Sequence, residues 1–355
     1  MYFCQNCKTV EWLDFLVTKL ILNYSWALLV VLFAIPAIIR MAFDRNILDR
    51  PNHRTVHEKL TPRLGGLAIF AGFMSAVTIF GVVNEGVQHV LAGALVIFFI
   101  GAKDDLMNIS PFKKFFGQVL AAGIVIFLGD VRVYSFHGFL GIEELPLLVS
   151  YLFTFLLIIG ITNATNLIDG LDGLAGSIVL LISVTFGIYF LDTSYPYSFM
   201  AFALAGSVTG FLRFNISKAS IFMGDTGSLL CGFLVAVLAI RFIEIKAVPA
   251  SPAVALAVVI IPITDTLRVF SMRLAKGQSP FMPDKNHIHH RLLAMGFKQL
   301  AVVFILVGFN LLVILVATSM AHLGTTWLIA LIFITILLIN TFIEVSKRYI
   351  TEHDA

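Results

Sequence analysis

Carboxylates recur in this chain in short runs set between apolar stretches. Asp104 and Asp105 stand together in GAKDDL. Asp169 and Asp172 lie in Asn163-Ala-Thr-Asn166-Leu-Ile-Asp169-Gly-Leu-Asp172-Gly173, Asp225 lies in Phe222-Met-Gly-Asp225-Thr-Gly-Ser228, and Asp265 sits near the end of a later apolar stretch. Acidic side chains beside apolar spans are costly, and they mark function when they gather on one face. Adjacent aspartates also cap helices, and runs of Asn, Asp and Gly also make turns. The spacing of Asp169 and Asp172, however, puts both on one side of a helical turn, and Gly170 and Gly173 let a ligand approach the backbone. Three separated acidic motifs suit a hard divalent cation with phosphate oxygens, Mg²⁺ first and Mn²⁺ as its substitute. Which carboxylate touches the ion stays open at this level.

Histidines form a second constellation. Pro280-Phe-Met-Pro283-Asp284-Lys285-Asn286-His287-Ile-His289-His290-Arg291 lies in the longest polar connection, and long connections are often functional. With Lys285 and Arg291 beside them, the three histidines suit an anion such as a pyrophosphate better than a chelated metal. An earlier loop carries Asp49-Arg-Pro-Asn-His53-Arg54 and His57-Glu-Lys59-Leu-Thr-Pro62-Arg63-Leu-Gly65-Gly66. Its TPRLGG end points to close helix packing or substrate access. Cys4 and Cys7 form a CxxC with no second pair at zinc spacing, and the three cysteines imply no disulfide framework. The natural reading of that pair is a loosely ordered tail.

The elements that position these motifs must be helices in lipid. Of the 355 residues, 59% are hydrophobic and only 13% charged, and the mean hydropathy is +0.96. A soluble domain runs at roughly 45–50% apolar. Backbone in a bilayer must satisfy its hydrogen bonds internally, so the expected fold is an all-α polytopic transmembrane bundle. Runs of about 20 apolar residues begin near residues 18, 65, 87, 115, 145, 174, 197, 226, 252, 301 and 323, which predicts about eleven spans. No second domain stands out in residues 1–355.

Lys and Arg decide the orientation. Nineteen of the 24 fall in one set of connections, and by the positive-inside rule that set is cytoplasmic. The N-terminus is then outside and the C-terminus inside. The cytoplasmic connections, 44–64, 102–114, 160–173, 212–225 and 271–300, hold the DD pair, Asp169, Asp172, Asp225 and the HIHH histidines, with Asp265 near the inner end of the ninth span, and so form the expected active site. The basic pI of about 8.7 reflects this topology rather than a nucleic-acid partner. Carboxylates, a divalent cation and basic residues at an inner membrane surface suit a reaction between a soluble nucleotide and a lipid phosphate, where charge neutralisation and alignment matter most. A secondary transporter is the alternative, although its acids would sit mid-span.

These motifs resemble, in order, those of the polyprenyl-phosphate N-acetylhexosamine-1-phosphate transferases: DD, NxxNxxDGxDG, FMGDTGS and HIHH. The likeness runs from about Asp49 to Arg291, and the MurNAc-pentapeptide translocase is a more distant relative. It implies a multi-pass enzyme of the bacterial inner membrane that moves N-acetylhexosamine 1-phosphate from a UDP-sugar to undecaprenyl phosphate and releases UMP. The resemblance implies Asp225 as the Mg²⁺ ligand, Asp104 as the base toward the lipid phosphate and Asp105 as its support. It implies that Asn215, Phe222 and Asp172 hold the uridine, with Asn166 and Asp169 beside the diphosphate and sugar. His287, His289 and His290 are the implied diphosphate or sugar contacts, His290 among the catalytic group, and His57 and Lys59 the further substrate contacts. HIHH and TPRLGG resemble the N-acetylglucosamine branch, other UDP-amino sugars being the alternative donors. A homodimer is implied by the likeness alone. The chain departs from the family pattern at Lys218, where a proline is common.

Overall fold

The computed structural model describes residues 3–48, 60–84, 86–278 and 286–353. In chain order its elements are α1 (Phe3–Asp44), α2 (Gly65–Phe80), α3 (Val87–Met107) and α4 (Pro111–Gly123, prolonged by a π turn, Ile124–Leu128). Then come β1 (Ser135–Phe139), β2 (Ile142–Glu144), α5 (Leu147–Leu167), α6 (Leu174–Tyr189), α7 (Tyr195–Asn215) and α8 (Gly224–Glu244). The chain continues through α9 (Ser251–Val258), α10 (Ile260–Ala275), α11 (Ile288–Ala294), α12 (Gln299–Ser319) and α13 (Thr325–His353). Prolines open α4, α7 and α9, where the missing N–H is not needed.

Every apolar run expected from the sequence is helical. Among the described residues, Phe15–Asp44, Pro111–Leu128, α5, α8 and α12 are each long and apolar enough to cross a membrane, and α9 with α10 makes a sixth if the pair is one span. α2, α6 and Thr325–Leu338 are shorter apolar helices. The chain is a polytopic, mostly helical membrane protein.

Four expectations change. The ninth span breaks at Val259, where α9 and α10 meet at a 77° bend; Pro262 in the first turn of α10 cannot donate back across that break. The fold is not purely α, because β1 and β2 pair antiparallel. That hairpin is tied to the start of α13 by the Leu140 N–H to Thr326 Oγ1 bond of 3.0 Å, at the end of α5 remote from the acidic motifs. The segment that carries Cys4 and Cys7 is helical, since α1 begins at Phe3. The expected cytoplasmic loops are also shorter, since α3 runs past Asp105 and α5 past Asn166, which puts both residues on rigid helix.

α8 is the axis. Its apolar window is 94% buried, whereas those of α1, α4, α5 and α12 are 22–33% buried. α2, α3, α5, α6 and α9 pack around it, and small residues let them come close. A Cβ on Gly66 would stand 2.1 Å from the Gly227 nitrogen, and one on Gly101 would stand 2.5 Å from the Thr226 Cα. The TPRLGG segment is therefore a packing device, and it adds a backbone ladder: Phe222 N–H donates to Pro62 at 2.8 Å, and Gly65 and Gly66 N–H donate to Phe222 and Met223 at 2.9 Å.

Gly66→Ala must push α2 off α8, and overpacking of this kind costs about 1–3 kcal/mol. A lowered thermal midpoint in detergent is expected. Gly308→Ala, where a Cβ meets nothing within 4 Å, serves as the control and should leave that midpoint unchanged or raised.

Candidate active site

The start of α8 carries the centre of the site. Gly224 turns the chain at φ +70°, and a Cβ there would stand 2.2 Å from the Arg63 carbonyl oxygen, so only glycine fits. The first N–H groups of a helix lack partners within it, and Met223 supplies no side-chain cap. Asp105 on α3 does so instead. Its Oδ1 accepts the Asp225 N–H at 2.8 Å and its Oδ2 the Thr226 N–H at 2.8 Å, and the Thr226 hydroxyl donates to Oδ2 as well. A carboxylate at this terminus is favoured by both hydrogen bonding and the helix dipole.

Asp104 and Asp225 face each other across Lys114. The Lys114 Nζ lies 2.7 Å from Asp104 Oδ2 and is also paired with Asp225. Asp104 Oδ1 accepts the Ile109 N–H at 2.7 Å. Lys114 occupies the first turn of α4, where the helix dipole disfavours a cation; the two carboxylates hold it there. In the sequence this lysine is one of the nineteen basic residues that orient the chain. Ser110 and Pro111, which start α4, set Lys114 in its first turn.

α5 adds the amides. Asn166 Nδ2 donates to Asp225 Oδ1 at 3.3 Å and to Ser228 Oγ at 2.7 Å. One turn earlier, Asn163 and Gln118 exchange bonds of 2.6 and 3.2 Å that tie α5 to α4. Asp169, in the turn after α5, has its carboxyl pushed well above the usual carboxylate range, first by burial and then by Asp225, Asp105 and Asp172. Asp104 and Asp225 thus share one lysine, with Asp105 bonded to the backbone of Asp225 and Asp169 within electrostatic reach of Asp225 and Asp105, an arrangement of hard oxygens suited to a cation.

Asp172, Asn215 and Phe222 stand one layer out. Asp172 Oδ2 accepts the Ala219 N–H at 3.2 Å. Asn215 accepts the Gly173 N–H at 2.7 Å and donates to the Ile221 carbonyl at 3.0 Å. Its amide thus braces the DGLDG turn against the irregular segment that leads into Phe222. In that segment Lys218 has φ +77°, a value closed to proline.

His289 and His290 sit on the seven-residue α11, and His287 stands just before it as its N-cap residue. The His289 ring rests on the DGLDG turn, its Nε2 2.8 Å from where a Gly170 Cβ would be, and it lies against His290 at 4.3 Å between centroids. His289 is 1% exposed, and neither ring nitrogen finds a partner among the described residues. His287 is parallel to it at 5.8 Å. Asp265 does not join the other acids: it binds His287. His57 and Lys59 lie outside the described residues.

Fit to a divalent cation can be judged from the donors. Among the described residues no three His, Cys, Asp or Glu converge as a complete metal cage. Asp225 and Asp104 do offer hard oxygens to one cation, the lysine ammonium. Mg²⁺ is commonly held by one or two carboxylates together with substrate phosphates and water, so the residues present fit that kind of site.

Burial, with His290 alongside, pushes the His289 pKa down to about 3. An unfolded histidine titrates near 6.5, so below that pH the unfolded chain takes up a proton that the folded one refuses. Stability present at neutral pH is then lost as pH falls, by about 2 kcal/mol at pH 5. Thermal midpoints measured from pH 7 to 5 should drop more steeply in the parent protein than in His289→Gln.

Comparison with known proteins agrees with this geometry. Residues 87–243 match Glycosyl transferase family 4, a stretch that runs from the start of α3 nearly to the end of α8. A probable undecaprenyl-phosphate N-acetylglucosaminyl 1-phosphate transferase of Bacillus subtilis is 33% identical over 94% of each chain. The undecaprenyl-phosphate alpha-N-acetylglucosaminyl 1-phosphate transferase of Escherichia coli K12 is 31% identical over 83% of each. The decaprenyl-phosphate N-acetylglucosaminephosphotransferase of Mycobacterium tuberculosis H37Rv is 33% identical over 79% of this chain and 77% of its own. With relatives this similar along most of its length, and with its acidic motifs brought together at one end of an apolar bundle, the chain belongs to glycosyl transferase family 4.

Proposed function

We propose that this protein transfers N-acetylglucosamine 1-phosphate from UDP-N-acetylglucosamine to undecaprenyl phosphate, releasing UMP and starting a cell-surface polysaccharide. The observation that carries the reading is the Asp104–Lys114–Asp225 bridge, capped by Asp105 and overlooked by Asp169 and Asn166, at one end of an apolar bundle. Such a site serves a substrate whose reacting phosphate lies at the membrane surface. The relatives' names supply the sugar and the lipid.

In this reading the lipid phosphate oxygen attacks the β-phosphorus of the donor, the bond to the α-phosphate oxygen breaks, and UMP departs. Asp104 orients the incoming phosphate and takes its proton if it arrives protonated. Lys114 balances the carboxylates and turns toward the diphosphate as it enters. Asp225 would hold Mg²⁺, which when bound neutralises diphosphate charge. Asn166 aligns Asp225 by its amide. Asp172 and Asn215 hold the walls of the uridine pocket beside Phe222, and the α11 histidines meet the diphosphate or sugar. We read eleven spans, the N-terminus outside, and a site on the cytoplasmic face of the inner membrane, where the nucleotide is made.

Purified protein given undecaprenyl phosphate and Mg²⁺ should release UMP from UDP-N-acetylglucosamine in preference to other UDP-amino sugars, and chelation should stop it. UMP release that ignores lipid or metal overturns the reading. Asp225→Asn should lower turnover on the order of a hundred- to a thousandfold with the thermal midpoint retained. Asn215→Ala, which frees the DGLDG turn, should raise the KM for the UDP-sugar on the order of tenfold; an unchanged KM removes it from the pocket wall.

A further inference from the structure

Asp265 is a buried carboxylate, 3% exposed, that stands outside the acidic cluster and past the bend between α9 and α10. Its Oδ2 lies 2.8 Å from His287 Nδ1. Its Oδ1 accepts the Ile288 N–H at 2.8 Å and Arg268 Nη2 at 3.1 Å. Arg268, one turn further along α10, also donates to the Asn286 carbonyl. Two side chains of α10 thus grip three consecutive residues, 286–288, where α11 begins. A helix of seven residues does not hold its own shape, so its direction is imposed by these bonds and by the Arg291–Glu344 pair at its other end.

An ionised carboxylate only accepts hydrogen bonds. The ring nitrogen facing Asp265 must therefore carry the hydrogen, which leaves Nε2 as the nitrogen that meets anything else. Resting on the transferase reading above, we propose that Asp265 is a positioning residue: it locks His287 with Nδ1–H toward itself and Nε2 toward the donor's diphosphate. By the same grip it sets His289 against Gly170. The bend at Val259 is what brings this carboxylate to the histidines.

The test uses the full chain in detergent, labelled with ¹⁵N-histidine, together with UMP-release kinetics. In the parent protein one Nδ1–H tautomer should be present that disappears in His287→Gln. Asp265→Asn, whose amide can donate to Nδ1, should convert it to the Nε2–H form. The same variant should lose turnover on the order of ten- to a hundredfold with the KM for UDP-N-acetylglucosamine within about threefold, and Asp265→Glu should recover part of the loss. Turnover within about twofold of the parent, or a His287 tautomer untouched by Asp265→Asn, overturns the proposal. If Asp265→Asn does not fold, the parent spectrum against His287→Gln decides: no Nδ1–H on His287 sinks it. If the parent releases no UMP from any donor, the transferase reading fails, while the tautomer still reports whether Asp265 sets the ring.

Discussion

The bond on which this site depends is the cap that Asp105 places on α8. Three donors from the first turn of α8 converge on one carboxylate from α3. That single interaction satisfies orphan N–H groups, opposes the positive end of the helix dipole and fixes where Asp225 begins. Because Asp104 is the residue just before Asp105 on α3, the cap also fixes the gap between Asp104 and Asp225. Lys114 then bridges a distance already determined. The DD motif is therefore two residues with separate partners, Asp105 bonded to the start of α8 and Asp104 paired with Lys114.

A cap between two helices needs those helices to be nearly in contact, and glycine makes that possible. Gly101 on α3 and Gly66 on α2 both lie against the start of α8. In a bilayer there is little hydrophobic gain from bringing helices together, so close packing carries the association. The small residues thus explain at once why α8 is buried while its neighbours face lipid, and why so polar a cluster stays rigid at the end of an apolar bundle.

The three histidines of one motif occupy three surroundings. His287 is bound to Asp265, His289 presses on the DGLDG turn with ring nitrogens that find no partner among the described residues, and His290 packs on the ring of His289. Alternate residues of a short helix face different neighbours, which a motif written as four letters does not express.

Residue type and local spacing determined much of this protein. Apolar runs locate the helices, because lipid demands both a length and an apolar composition. Asn, Asp and Gly mark the turns, and the acidic motifs with HIHH point to a cation and phosphate site, since their chemistry is local. What the sequence left open is whatever depends on partners far along the chain. Asp105 and Thr226 are 121 positions apart and Lys114 and Asp225 are 111, so nothing nearby marks Asp105 as a cap or Lys114 as a bridge. The division of the ninth span, the hairpin, the bracing role of Asn215 and the attachment of Asp265 to a histidine rather than to the other acids are of the same kind. Packing decided each of them, because a hydrogen bond needs a few ångströms of proximity, and only the tertiary structure supplies it.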